Sequence, residues 1–277
     1  MVINSFMYHC VYTKHKPQQG RIVKAIAGSI GAKVWELGQF SLSHIDRSDV
    51  VVFIGLIHGM GQLYKQILEQ GQPYWYVDHA YFHSGYCEGN EWMRITANAF
   101  TQNRILSTWD QQRQDQYFSN IEIKPWRGLQ GSYILASPPS DSVDYIFGQA
   151  HAWFDQACQQ AESLLKLPVV IRHKSPRIYL DSNGQIMRKE QVHHKQSLQE
   201  QMGGAALVIT YTSSIAIDAV LQGIPVHVHL RSSAWPVSSK LQNFQEPPRT
   251  AWVSSLCASQ YHTREIASNH LSNLINI

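Results

Sequence analysis

Residues 207–229 read LVITYTSSIAIDAVLQGIPVHVH, and the order of residue types in this stretch decides the fold class. Leu207 to Thr210 are apolar or β-branched, the composition of a buried strand. Tyr211-Thr212-Ser213-Ser214 then supplies hydroxyls where a helix needs an N-cap, and Ile215 to Gln222 carry apolar residues at helical spacing. Gly223 stands where a positive φ ends a helix at least cost, Pro225 prevents continuation, and Val226 and Val228 open the next strand. The stretch predicts a strand, turn, helix and parallel strand. The hydroxyl turn lies at a helix N-terminus, which attracts phosphate or carboxylate through unpaired N–H groups and the helix dipole. Asp218, an acid among Ile, Ala and Val, is placed to accept hydrogen bonds from vicinal sugar hydroxyls. Ser and Thr at a helix start also serve as plain caps, and that reading stands beside the functional one.

Working outward, Tyr133 to Ala136 and Pro168 to Ile171 predict further strands of the same α/β unit, with one long amphipathic helix over 143–165 between them. Arg172-His173-Lys174-Ser175-Pro176 leaves the second of these strands, so Arg172 and Lys174 are candidates to meet the phosphates at Ser213 and Ser214, on the expectation that the two loops belong to neighbouring strands. Residues 178–189 predict a hairpin turning at Asn183-Gly184, and 263–275 a capped terminal helix. Arg127 to Gly131 thins into a candidate linker, which divides the chain into an N-terminal α/β domain over 1–127 and a C-terminal one over 132–277, the last helix packing back on the first domain.

In the N-terminal half, Val2 to Met7, Lys33 to Leu37, Val50 to Ile54 and Tyr74 to Val77 predict strands, and 18–31 a helix. The loops after strands of an open sheet lie at its ligand-binding edge. Lys14, in the basic loop before Pro17, and His58, among Gly55, Gly59 and Gly61, therefore face either a ligand or water. Asp78 and His79 end a buried strand beside aromatic residues, a setting that suits a general base. Asp78 is the first choice for that role, with His79 the alternative and a turn cap the structural one. Tyr81, Trp92 and Arg94 combine rings and a guanidinium, as sugar or base stacking with phosphate pairing uses.

At 277 residues with 44% hydrophobic and 16% charged side chains, the composition is that of a globular chain with one large or two medium domains. No run reaches the length of a membrane span and Met1 to Tyr8 lacks signal-peptide features, so a cytoplasmic location is expected. Cys10, Cys87, Cys158 and Cys257 are too scattered for a metal framework, and the histidines lack metal-site spacing. No glycine fingerprint follows the first strand of either half, which argues against a dinucleotide enzyme.

Thr212-Ser213-Ser214, Asp218-Ala219 and Gly223-Ile224-Pro225 together are similar to the donor half of GT-B glycosyltransferases, where Glu-Ala-x-x-x-Gly-x-Pro recurs; here Asp218 replaces the Glu. The segments YWYVDHAYF (74–82), RHKSP (172–176) and YTSSIAIDAVLQGIPV (211–226) resemble phage-encoded transferases that glycosylate hydroxymethylated DNA bases and, more distantly, capsule-polysaccharide transferases. The resemblance implies two Rossmann-like domains facing a cleft, with a nucleotide sugar, foremost a UDP-sugar, as co-substrate and no cofactor or metal. It implies a donor site of Arg172, Lys174, Tyr211, Thr212, Ser213, Ser214 and Asp218, an acceptor side of Lys14, His58, Tyr81, Trp92 and Arg94, and Asp78 or His79 as base. The implied acceptor is 5-hydroxymethylpyrimidine in double-stranded DNA, in the host cytoplasm for a phage protein, with no membrane partner. A polysaccharide acceptor and a non-catalytic nucleotide- or glycan-binding protein are the alternatives.

Overall fold

A computed structural model describes residues 6–83, 91–268 and 271. In chain order the first elements are β1 (Tyr8–Tyr12), α1 (Pro17–Ile30), β2 (Lys33–Glu36), β3 (Val50–Ile54), α2 (Met60–Gln70), β4 (Tyr74–His79) and β5 (Trp92–Ala97). There follow α3 (Gln111–Phe118), β6 (Tyr133–Ser137), α4 (Asp141–Phe147), α5 (Ala150–Leu165), β7 (Val169–Ile171), β8 (Arg177–Leu180) and β9 (Ile186–Glu190). The chain ends with α6 (Leu198–Gly204), β10 (Ala205–Thr210), α7 (Ile215–Leu221), β11 (Val226–Val228), α8 (Thr250–Ala258), β12 (Gln260–His262) and α9 (Thr263–Ala267). It divides into two compact α/β units. The described residues within Met1–Phe100, Asp181–Ile186 and Ser259–Ile277 form unit 1, and Thr101–Leu180 with Met187–Ala258 form unit 2.

Unit 1 carries a six-stranded sheet in the order β12-β5-β4-β3-β1-β2. β2, β1, β3 and β4 are parallel, whereas β5 and β12 run antiparallel to their neighbours. Pro17 starts α1 at a position where its missing N–H costs nothing, and Ile22, Val23 and Ile26 then pack on Val52, Ile54, Trp75 and Val77. Of the strand expected over Val2 to Met7, residues 2–5 lie outside the described ones. The strand is instead Tyr8–Tyr12, a stretch whose polarity reads as a loop. His9 is accommodated there because Trp35 Nε1 donates to its Nδ1 at 3.1 Å and its Nε2 meets Asp49 Oδ2 at 3.0 Å, leaving neither ring nitrogen unsatisfied. Of the helix expected over 263–275, the described part is α9, capped by His262 and Glu265.

Unit 2 carries a four-stranded parallel sheet, β11-β10-β6-β7, and the separate two-stranded ribbon β8-β9 apart from Ile186, which falls in unit 1. Counted within each unit, both parallel sets have the order second, first, third, fourth. The single helix expected over 143–165 is two, because Gly148 (φ 63°) and Gln149 (φ 56°) reverse the backbone between α4 and α5. Phe154, Ala157 and Ala161 of α5 close the core against Ile134, Leu207 and Ile209.

The expected boundary at 127–132 differs from the observed division at 100–101 because residues 124–131 are tied into unit 2. Lys124 N–H donates to Leu221 O at 2.8 Å, Arg127 N–H to Gly223 O at 2.7 Å, and Trp126 Nε1 to Pro247 O at 3.1 Å. Arg127 Nη2 also reaches the carbonyls of Gly203 and Ala205, each at 3.1 Å. Gly223 meets this strap so closely that a Cβ there would stand 1.9 Å from Pro125 O, and its φ is +76°. Gly223→Ala is therefore expected to cost roughly 2–4 kcal/mol in chemical denaturation, by strain and overpacking together. Gly28→Ala, inside α1 with nothing within 4 Å of the added carbon, should be neutral or stabilise by up to ~1 kcal/mol.

Candidate functional site

An open parallel sheet forms a crevice at its carboxyl edge where successive connections leave to opposite sides. In unit 2 this point lies between β6 and β10, since β7 flanks β6 on one side and β11 flanks β10 on the other. Thr210 Oγ1 donates to Ser137 O at 2.8 Å and locks the two strand ends at one level. Asp144 arrives from the β6 side on α4, and Tyr211 leaves β10 at the crevice.

Around Tyr211 the side chains form a dense cluster. Its ring stacks on His229 with centroids 4.1 Å apart and planes 11° apart. Trp153 of α5 meets Tyr211 and His229 edge-on, each at 5.5 Å, and lies parallel to His227 at 5.7 Å. Burial raises the Tyr211 phenol, opposed by the charge of Arg231 and its hydrogen bond to the phenol, and Asp144 adds to the rise. The loop bearing Arg231 is pinned from behind by Thr101 Oγ1, which donates to Arg231 O at 2.6 Å, and by Asn103 Nδ2, which donates to Leu230 O at 2.8 Å. Arg231 N–H donates to His229 Nδ1 at 3.3 Å, so the neutral imidazole carries its proton on Nε2. Burial, with Arg231 second, lowers the His229 pKa to about 4. The cluster thus offers a guanidinium, a phenol, a neutral imidazole and a carboxylate at one sheet edge.

Of the residues expected to bind a donor, Tyr211 is buried inside this cluster and Thr212 and Ser213 are half-buried beside it. Ser214 holds the N-cap position of α7, but its side chain makes no capping bond; Ser213 Oγ accepts from Ile215 N–H at 3.4 Å instead. Arg172 and Lys174 do not leave a neighbour of β10, because β6 lies between β7 and β10. Arg172 is engaged by the start of α6, donating to Gln201 Oε1 at 2.6 Å and Gln196 O at 3.1 Å, while Lys174 is exposed. Asp218 lines a shallow groove with Leu198, Gln199 and Met202 of α6 and Leu221 and Gln222; partial desolvation raises its carboxyl. Asp144, Trp153, His227, His229 and Arg231 escape the sequence reading. The alternation Val226-His227-Val228-His229 was the available signal, since it puts both imidazoles on one face of a strand.

In unit 1 the corresponding crevice lies between β1 and β3. Their two exit loops bring His15 and His58 into a stack at 5.2 Å, with His58 at φ +58°, and Lys14 reaches Glu36 Oε1 at 3.7 Å from an exposed position. Asp78, Arg94 and Tyr81 do come together, but as packing. The antiparallel register sets Asp78 opposite Arg94, whose Nη2 meets Asp78 Oδ2 at 2.8 Å; the Tyr76 hydroxyl donates to the same oxygen at 2.9 Å. The Arg94 guanidinium lies 5.5 Å from the rings of both Tyr81 and Phe100. Burial would raise the Asp78 carboxyl, yet Arg94, His79 and the hydrogen bonds outweigh it and hold it below the ordinary carboxylate range. A carboxylate held this way is a poor proton acceptor at neutral pH. Its neighbour His79 is exposed, and Trp92 is buried edge-on against His262 at 5.2 Å.

The sequence matches no protein-family model and no curated protein. Among solved structures the chain is similar to the beta Kdo 2,7 transferase of Thermosulfurimonas dismutans KpsC, with a TM-score of 0.51 and 11% identity over 98% of this chain and 99% of that one. The beta Kdo 2,4 transferase of the same KpsC aligns with a TM-score of 0.47 and 9% identity over 98% of both chains. The first likeness shows a fold shared with a glycosyltransferase.

Because the folded state refuses a proton that the unfolded chain accepts between pH 6.5 and about 4, His229 weakens unit 2 as pH falls through that window. His229→Gln should therefore flatten the acid limb of a stability-against-pH curve relative to the parent. Asp78→Asn, which strands the Arg94 charge, is expected to cost about 2–4 kcal/mol, and Arg94→Met in the same chain should recover part of it in a double-mutant cycle.

Proposed function

We propose that this protein is a glycosyltransferase that binds an activated sugar at the carboxyl edge of unit 2 and passes the sugar to a hydroxyl of a carbohydrate acceptor. The observation that carries this reading is the convergence of Arg231, the Tyr211 hydroxyl, His229 and Asp144 at the crevice of a parallel sheet. The fold likeness to a Kdo transferase supports a carbohydrate over a DNA acceptor.

Glycosyl transfer from such a donor leaves a phosphate whose negative charge grows as the glycosidic bond breaks. Donors held in place by the fold stabilise that charge without reorganising. Arg231 supplies a fixed positive charge and Tyr211 a phenolic hydroxyl. The Ser213 and Ser214 hydroxyls at the turn after β10 add further donors. His229 enters as a neutral imidazole that donates through Nε2 across the physiological range, a role in positioning rather than in acid catalysis. Asp78, whose carboxylate is engaged by Arg94, is not assigned as the base.

The test is to incubate the protein with a panel of nucleotide sugars and either oligosaccharide acceptors or hydroxymethylated DNA, and to weigh the products. A sugar-sized mass gain on an oligosaccharide is expected. Arg231→Ala should lower kcat/KM by about a hundredfold or more and Tyr211→Phe by about tenfold. Mass gain on DNA nucleosides alone would return the acceptor to the hydroxymethylpyrimidine reading. Nucleotide-sugar binding with no transfer and no sugar release would make the protein a non-catalytic binder.

A further inference from the structure

The ribbon β8-β9 and its flanks carry charge that the proposed transfer does not use. From Ile171 to Lys195 the chain holds six Lys and Arg (Arg172, Lys174, Arg177, Arg188, Lys189, Lys195) against Asp181 and Glu190. Lys174, Arg188, Lys189 and Lys195 are exposed, in a chain whose overall formal charge is only +3. Strands of four or five residues are roughly 15 Å long, so these charges lie within about two Debye lengths and act together on an anionic surface.

Two large apolar side chains are exposed among these cations, Met187 at 70% and Ile171 at 44%. Apolar tips among cations find a partner in the headgroup and acyl boundary of a bilayer and none in a polyanionic chain. The ribbon's aromatic ring points the same way. Tyr179 is covered by the guanidiniums of Arg177 at 4.6 Å and Arg188 at 4.1 Å, and its hydroxyl donates to Glu190 Oε2 at 2.7 Å. It is therefore not presented as a face for stacking bases, which single-stranded nucleic acid would need.

We infer that the β8-β9 ribbon is a docking surface for the anionic headgroups of a lipid bilayer, through Lys189 and Lys195, with Met187, on the same face of β9 as Lys189, inserted beside them. The contact is peripheral: no described helix is long and apolar enough to cross a membrane. It is independent of the proposed transfer chemistry and stands or falls separately.

Co-sedimentation of the full chain with phosphatidylcholine vesicles, with and without phosphatidylglycerol, tests it. Binding is expected only with phosphatidylglycerol, reversed by salt, and weakened at least about tenfold by Lys189→Glu with Lys195→Glu. Met187→Ser should weaken vesicle binding several-fold while leaving retention on a heparin column unchanged, which separates a lipid surface from a generic polyanion site. Circular dichroism and the melting temperature of each variant show that the fold is retained. Equal binding to neutral vesicles, indifference to the Lys substitutions, or binding to duplex DNA without binding to vesicles would overturn the inference.

Discussion

The parallel pairing of β10 with β6 is the constraint on which unit 2 depends. All six residues of β10 are buried, so the strand must be covered on both faces and paired on both edges. Once it is, everything that leaves its carboxyl end is placed. Tyr211 emerges at the crevice, α7 turns down one face, and the Thr210 hydroxyl bond to Ser137 O sets the height of the neighbouring loop. The β11 strand brings His227 and His229 up beside Tyr211 on the other side. The polar groups at the crevice are short excursions from a ladder fixed by hydrophobic burial, which lets a buried phenol, two imidazoles and a guanidinium occupy so small a region.

Polar groups are used differently in the two units. In unit 1 the charges of Asp78 and Arg94 satisfy one another across an antiparallel ladder, and His9 is satisfied by Asp49 and Trp35. Breaking either arrangement leaves a buried group without its partner, so these residues hold a fold. In unit 2 the Arg231 side chain reaches the Tyr211 phenol while its backbone carbonyl is anchored by Thr101. On the function proposed, this anchoring, with the guanidinium also 4.6 Å from the Phe147 ring, lets Arg231 meet an anion with little loss of entropy.

The strap over 124–127 joins distant parts of unit 2. Arg249 donates to Val220 O at 2.7 Å and to Lys124 O at 2.6 Å, with its guanidinium 4.1 Å from the ring of Trp126. These bonds hold the end of α7 to the strap, the Val220 carbonyl also accepting from Gly223 N–H at 3.1 Å. They explain why Gly223 has two reasons to be glycine, its positive φ and the approach of Pro125, of which local sequence shows only the first.

The amino-acid sequence by itself determined the α/β class, the strand-turn-helix-strand unit around Tyr211, the hairpin at Asn183-Gly184, and Gly223 as a helix end. Each is written in local periodicity and in backbone preferences that no distant contact overrides. It also marked Tyr211, Ser213 and the loops bearing Lys14 and His58, because parallel strands deliver their exit loops to one edge. Only the tertiary structure decided which strands are neighbours, and that removed Arg172 from the crevice, set Arg94 on Asp78, and assembled Asp144, Trp153, His229 and Arg231 around Tyr211. Pairing order depends on burial summed over the whole sheet, and side chains tens of residues apart meet only after that order is set. Local patterning carries no record of it.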